Sequence, residues 1–166
     1  TYYVLIVLEL STRRVQVAGL TLEPSSAFMM QVGRNLTSLP DGLLLGKHFL
    51  IMDWDGKYSG DFRDLLERSG MEIVRLPPRS PNLNAYAERF ILSIKQECLE
   101  RMIFFSEKSL PQAVSAYVAH YHKERNHQGL ENQLIEPETH SVEKNGKVRC
   151  RDRLGGMLRY YYREAA

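Results

Sequence analysis

Asp53 stands directly behind the apolar run Phe49-Leu50-Ile51-Met52, and Glu88 follows 35 residues later, just past Pro77-Pro78-Arg79-Ser80-Pro81-Asn82-Leu83-Asn84. A carboxylate that ends an apolar strand lies at a sheet edge, where the ligand sites of open α/β sheets gather. Glu88 falls in the first turns of an expected helix, one position off its apolar stripe and so on the helix shoulder. Carboxylates converging from a strand end and a helix start suit divalent-metal chemistry. Magnesium takes hard oxygen donors and keeps several waters, so a few carboxylates and substrate phosphate oxygens complete its shell. Two such ions activate an attacking hydroxyl and stabilise the leaving oxygen of an in-line phosphoryl displacement. Their charge also offsets the repulsion that would raise the pKa of one carboxylate. The same residues fit plainer roles, Asp53 as a turn former and Glu88 as a complement to the helix dipole. Spacing alone leaves both open.

Other reactive residue types assemble less well. Of the five histidines, His120 and His122 are two apart on an expected helix and point to different faces. His122 and His127 lack further ligands to complete a zinc set. Cys98 and Cys150 lie 52 residues apart without a CxxC, which gives neither a zinc ribbon nor a disulfide framework. There is no strand-turn nucleophile elbow and no glycine-rich phosphate loop. Tyr160-Tyr161-Tyr162, flanked by Arg159 and Arg163, fits stacking on bases or sugars, though such a triplet is more often a terminal strand packed on the domain.

The elements that must position these residues alternate in type. Tyr2–Leu8 reads as a short buried strand, Ser11-Thr12-Arg13 as a turn, and Val15–Leu20 as an antiparallel partner. Ser25 or Ser26 caps a helix with Phe28, Val32 and Leu36 inward, stopping near Pro40-Asp41-Gly42. Phe49–Met52 reads as a buried strand. Ser59 precedes a helix with Phe62, Leu65 and Leu66 inward and Gly70 at its C-terminal end. Ile73–Leu76 is a further strand. Three prolines in five residues, from 77 to 81, exclude regular structure. A long helix is expected from Asn84 to Met102, with Ala87, Phe90, Ile91, Ile94 and Cys98 inward. Another runs from Ser109 to about Glu124, carrying Ala113, Tyr117, Val118 and Tyr121. Val148–Tyr162 reads as short strands around Gly155-Gly156. The order predicts an α/β fold, a mixed sheet covered by helices.

The 166 residues carry 43% hydrophobic and 25% charged side chains, enough for a real core and too apolar for a mostly disordered chain. No apolar run approaches the ~18 residues of a membrane span, so no membrane association is expected and a reduced, cytoplasmic protein is the default. The first residue is Thr1, consistent with a processed chain or one that begins inside a larger reading frame. Net charge is only +2, but residues 141–166 hold seven basic and three acidic side chains, and residues 75–101 hold five and three. A basic tail beside a basic central segment suits a polyanion, because each neutralised phosphate releases counterions. A solvated surface is the plainer reading, and charge alone favours it.

Two segments resemble the catalytic core of bacterial insertion-sequence transposases and retroviral integrases, the DDE superfamily with a ribonuclease H-like fold. They are Met52-Asp53-Trp54-Asp55-Gly56-Lys57-Tyr58 and Leu76 to Phe90, which includes Asn84-Ala85-Tyr86-Ala87-Glu88-Arg89. Tyr121-His122-x-x-Arg125-Asn126-His127-Gln128-Gly129-Leu130 resembles the element that closes many bacterial members. The likeness covers about residues 1–137 as an integrase catalytic core, leaving 138–166 as a basic C-terminal extension.

The resemblance implies that Asp53 and Glu88 are the second and third metal ligands, for two Mg²⁺ or Mn²⁺ ions. It implies that the loop 77–87 borders the active site and that Lys95, Arg79, Asn84 and Arg89 contact DNA. The expected activity is metal-dependent phosphodiester cleavage and strand transfer on transposon ends and target DNA, by a nucleoid-associated homo-oligomer with no small-molecule cofactor. It also implies that the first strand and its Asp precede Thr1, which leaves this chain catalytically incomplete. Glu9, near the far end of the second strand, is a poor substitute, and Asp55 fits an Asp-Gly turn better than a ligand role. The alternative is a DNA-binding or oligomerising remnant without the chemistry. A ribonuclease H-like nuclease acting on RNA–DNA hybrids is disfavoured by the proline-rich loop and the Arg125–Leu130 element.

Overall fold

A computed structural model describes residues 1–53, 55–77, 84–137 and 146–163. Strands and helices follow in the order β1 (Tyr3–Leu8), β2 (Val15–Thr21), α1 (Ser26–Thr37), β3 (Phe49–Met52), α2 (Gly60–Arg68), β4 (Glu72–Arg75), α3 (Ala85–Glu97), α4 (Ser109–Lys123), β5 (Val148–Arg153) and β6 (Leu158–Arg163). The chain is mixed α/β, helices with small sheets. It divides into two compact units, Thr1–Val7 with Gln16–Ala87, and Leu8–Val15 with Glu88–Ala166.

The first unit is built by its caps and its apolar spacing. Ser25, not Ser26, caps α1, its Oγ accepting from the Phe28 N–H at 3.3 Å, and Ser59 does the same for Phe62 in α2. α2 closes at Gly70, whose φ of +88° is the left-handed conformation that favours glycine. Met29, Val32 and Leu36 of α1, Phe62 and Leu66 of α2, and Met52 and Met71 form one buried cluster. Leu5, Val7, Ala18, Leu50 and Ile73 pack on it from the strands. α1 and α2 approach closely at Gly33, where an added Cβ would lie 2.5 Å from Leu65 Cδ2.

The strands do not form the single mixed sheet expected. Among the described residues the pairs are β1–β2, β3–β4 and β5–β6, each a separate two-stranded sheet. β3 and β4 are parallel, with Phe49 opposite Glu72 and Met52 opposite Arg75. β1 and β2 are joined by six residues, too few for a parallel crossover, and so run antiparallel. Both pairs rest on the same core cluster without a shared ladder.

The short runs are also less buried than their composition predicts. Tyr3 is exposed, and Phe49 is 64% exposed beside a buried Met52, because side chains alternate across a strand and only one face of the β3–β4 pair meets the helices. The fourth strand ends at Arg75, with Leu76 just beyond it.

The second unit centres on α3 and α4. Phe90 meets Tyr121 edge-on at 4.9 Å and Tyr117 at 6.1 Å, and Cys98 is fully buried. The helix expected from Asn84 to Met102 breaks after Glu97 into a 3-10 turn, Leu99–Arg101. Ile91, expected inward, is 38% exposed: it lies one residue past Phe90, off the Phe90–Ile94–Cys98 stripe. Within this unit the Val15 N–H donates to His122 Nε2 at 2.9 Å, and Arg14 pairs with Glu136 at 2.8 Å. The short strands expected around Gly155-Gly156 are β5 and β6, and they pair as an antiparallel hairpin.

Candidate active site

Parallel pairing of β3 with β4 brings the C-terminal ends of both strands to one edge, and the ladder runs to its end, Leu76 N–H donating to the Met52 carbonyl at 3.1 Å. Asp53 emerges there, exposed, on a cavity of about 340 Å³ lined by Met52, Asp53, Asp55, Tyr58, Arg63 and Arg75 among others. Asp55 behaves as the turn residue expected of it. Its Oδ1 accepts from the Lys57 N–H at 3.1 Å, its Oδ2 pairs with Lys57 Nζ, and Lys57 holds its pKa below the usual carboxylate value. Lys57 also lies over the Tyr58 ring, 4.6 Å from its centre. Burial, and then the charges of Asp53 and Asp55, push the Tyr58 hydroxyl far up, so it stays protonated as a donor. Two carboxylates with two guanidiniums make a site of mixed charge. Carboxylate oxygens suit a hard cation, and arginine forks suit phosphate oxygens.

Glu88 lies in the first turn of α3 and is exposed, as are Arg89 and Lys95. Glu88 and Lys95 are seven residues apart, two turns, and so share a helix face. The opposite side of α3 is held within its unit by Arg125. That guanidinium donates to Ser93 Oγ at 3.0 Å and to Glu97 Oε1 at 2.6 Å, while Tyr117 donates to Glu97 Oε2 at 3.1 Å. His127, from the same closing element, donates from Nε2 to the Tyr121 carbonyl at 2.7 Å, and its ring meets the Tyr121 ring edge-on. The residues that resemble the closing element thus lock the helix that carries Glu88.

Of the other expected contacts, Asn84 is half-buried immediately before α3, and Arg79 lies outside the described residues. Asp53 belongs to the first unit and Glu88 to the second. Glu9 sits in the β1–β2 turn, accepting from the Thr12 hydroxyl at 2.8 Å. Among the described residues no group of three or more His, Cys, Asp or Glu side chains could hold a metal ion. The donor type at Asp53 and Asp55 fits a hard divalent ion, but their number is short of a closed set.

Sequence reading missed Arg63 and Arg75. The signal for Arg75 was its place in the parallel register, opposite the residue before Asp53, which spacing alone does not reveal. It also missed Glu124, which follows α4 directly. Its carboxylate is fully buried, bound by Arg153 at 2.7 Å, by His120 at 2.9 Å and by Arg151 at 3.2 Å. Burial pushes its pKa up, but these three partners outweigh that and bring it down to about 2.

The fold and site so far describe an α/β domain with an acidic and basic pocket at a strand edge. A family model for the integrase core domain matches residues 69–134, from the end of α2 past the Arg125–Leu130 element. This match supports a retroviral-type integrase or transposase catalytic core. It contains Glu88, Arg89 and Lys95; Asp53 lies before it. Comparison with curated proteins and with solved structures gives no match.

Proposed function

We propose that this chain is the catalytic core of a DNA transposase or integrase, acting by metal-dependent phosphodiester cleavage and strand transfer. The integrase core match over residues 69–134 carries the reading. The pocket at Asp53 supports it, since a carboxylate at a strand edge beside Arg63 and Arg75 suits a phosphodiester. Asp53 and Glu88 would hold Mg²⁺ or Mn²⁺, which when bound supplies charge for nucleophile and leaving oxygen. Arg63 and Arg75 would orient phosphate oxygens, and Tyr58 would donate a hydrogen bond there. Lys95, Arg89, Asn84 and Arg79 would take the DNA backbone, in a cytoplasmic, nucleoid-associated homo-oligomer.

The fold in this reading is ribonuclease H-like, a mixed sheet flanked by helices. Two strand pairs resting on one helix-covered core support that. Asp53→Asn and Glu88→Gln should each abolish metal-dependent strand transfer. Near-normal activity in either variant would refute the assignment.

A second reading is a DNA-binding remnant without chemistry. It predicts binding that falls with salt and is indifferent to EDTA and to Asp53→Asn, with no strand transfer by any form of the protein.

A further inference from the structure

The β5–β6 hairpin sorts its side chains into two unlike faces. Cross-strand partners share a face, and the register pairs Arg151 with Tyr160, Arg153 with Leu158, Cys150 with Tyr161, and Asp152 with Arg159. One face is anchored. Arg151 and Arg153 reach the buried Glu124, Leu158 is buried, and Tyr160 stacks on Tyr162 with ring centres 5.8 Å apart. The other face carries Arg159, Tyr161 and Arg163 in one row at alternate positions of β6, all exposed, with Tyr161 at 63%. Arg159 is steered by Asp152 at 3.6 Å, and Arg163 donates to the Gly146 carbonyl at 3.0 Å, so both guanidiniums are held along the row while open to solvent. Residues 146–163 hold six basic side chains and one acidic one, +5 against +2 for the whole chain.

We propose that this outward face binds single-stranded nucleic acid, with a base stacked on Tyr161 and phosphates taken by Arg159 and Arg163. Charge complementarity fixes the partner as a polyanion, and the aromatic ring between the arginines selects among polyanions. Arg159 and Arg163 are four residues apart, about 13 Å along an extended strand, with the Tyr161 ring midway. A base in a duplex has both faces covered, so only an unpaired one can lie on that ring. The face needs no metal. The inference deepens the DNA reading above, naming a strand-binding site remote in sequence from Asp53 and Glu88, and it can fail separately.

The test is fluorescence anisotropy of an end-labelled oligothymidylate of about 15 nucleotides with the full 166-residue chain in EDTA. The same sequence as a duplex, inorganic polyphosphate and polyglutamate serve as competitors. Single strand should compete best. Tyr161→Ala should weaken single-strand binding about 5- to 100-fold and leave competition by polyphosphate unchanged. Arg159→Gln and Arg163→Gln should each lower the slope of log K against log salt by about 0.7.

Cys150 gives a second measurement. It is the exposed thiol opposite Tyr161, while Cys98 is buried, so maleimide labelling of Cys150 should slow when oligothymidylate is bound. Wild-type affinity in Tyr161→Ala would overturn the proposal. So would equal competition by duplex or polyphosphate, stronger competition by polyglutamate, or an unprotected Cys150. Asp53→Asn should leave all these measurements unchanged. If it abolishes strand transfer while oligothymidylate fails to bind, the hairpin inference falls and the catalytic reading stands.

Discussion

Replacing Glu124 by Gln should destabilise the second unit in a way that acid titration identifies. Glu124 directly follows α4, at the negative end of the helix dipole, where a carboxylate is unfavourable unless cations surround it. Arg151 and Arg153 supply those cations, and both are less than a third exposed. Its pKa falls from 4.5 to about 2, a shift worth about 3 kcal/mol at one pKa unit per 1.36 kcal/mol. Because the folded value is the lower one, this stabilisation is fully present above pH 4.5 and is lost as pH falls towards 2. Gln keeps the shape but removes the charge, leaving two arginines facing a neutral amide, so a loss of about 2–4 kcal/mol is expected at pH 7. Urea unfolding followed by far-ultraviolet circular dichroism, in both proteins, from pH 7 to 2.5 provides the assay. Other carboxylates lower both curves on acidification, so the informative quantity is the difference between wild type and Glu124→Gln. That difference should fall to about a quarter of its pH 7 value by pH 2.5. A difference that stays constant across the range would refute the argument that the carboxylate charge holds the hairpin arginines.

Arg125→Ala should cost about 1–2 kcal/mol, and a double-mutant cycle with Glu97→Gln should give a coupling of about 1 kcal/mol; additive effects would show that the 2.6 Å pair does not help to hold α3. Gly33→Ala should lower the melting temperature even though alanine is the better helix former by about 0.5–1 kcal/mol, since its Cβ would press on Leu65 and Phe62. A raised melting temperature would show that Leu65 simply turns away.

Local rules were legible in the sequence wherever one residue decides the outcome. Ser59 and Gly70 bound α2 because a hydroxyl satisfies a free N–H and a glycine tolerates a left-handed φ, whatever surrounds them. The two short strands around Gly155-Gly156 were legible for the same reason, though not their pairing. What composition could not give was which face of a strand is covered. Phe49 and Ile51 are as apolar as Leu50 and Met52, yet only the second pair faces the helices, so an apolar run of four read as wholly buried. Pairing partners were equally hidden, because ladder contacts between distant segments leave no local trace. Asp53 could therefore be placed at a strand edge, but not beside Arg63 and Arg75.

The basic tail shows how parity changes the meaning of charge. Read along the chain, residues 141–166 are seven positive and three negative charges and point to a polyanion. Folded, the arginines at 151 and 153 are engaged inward by a single buried carboxylate, and they reach it together because two-residue spacing puts them on one face. Arg159 and Arg163 are fixed on the other face by their register against Asp152 and Val148. The same residue type thus does two opposite jobs six to twelve positions apart. One set rigidifies the hairpin by neutralising Glu124, and the other keeps its charge in solvent around Tyr161. The outward face consequently presents fewer charges than the net count implies, in a better-defined geometry. Shifting β6 by one residue would carry Tyr161 inward and Tyr160 and Tyr162 outward, so the proposed surface depends on strand register as much as on composition.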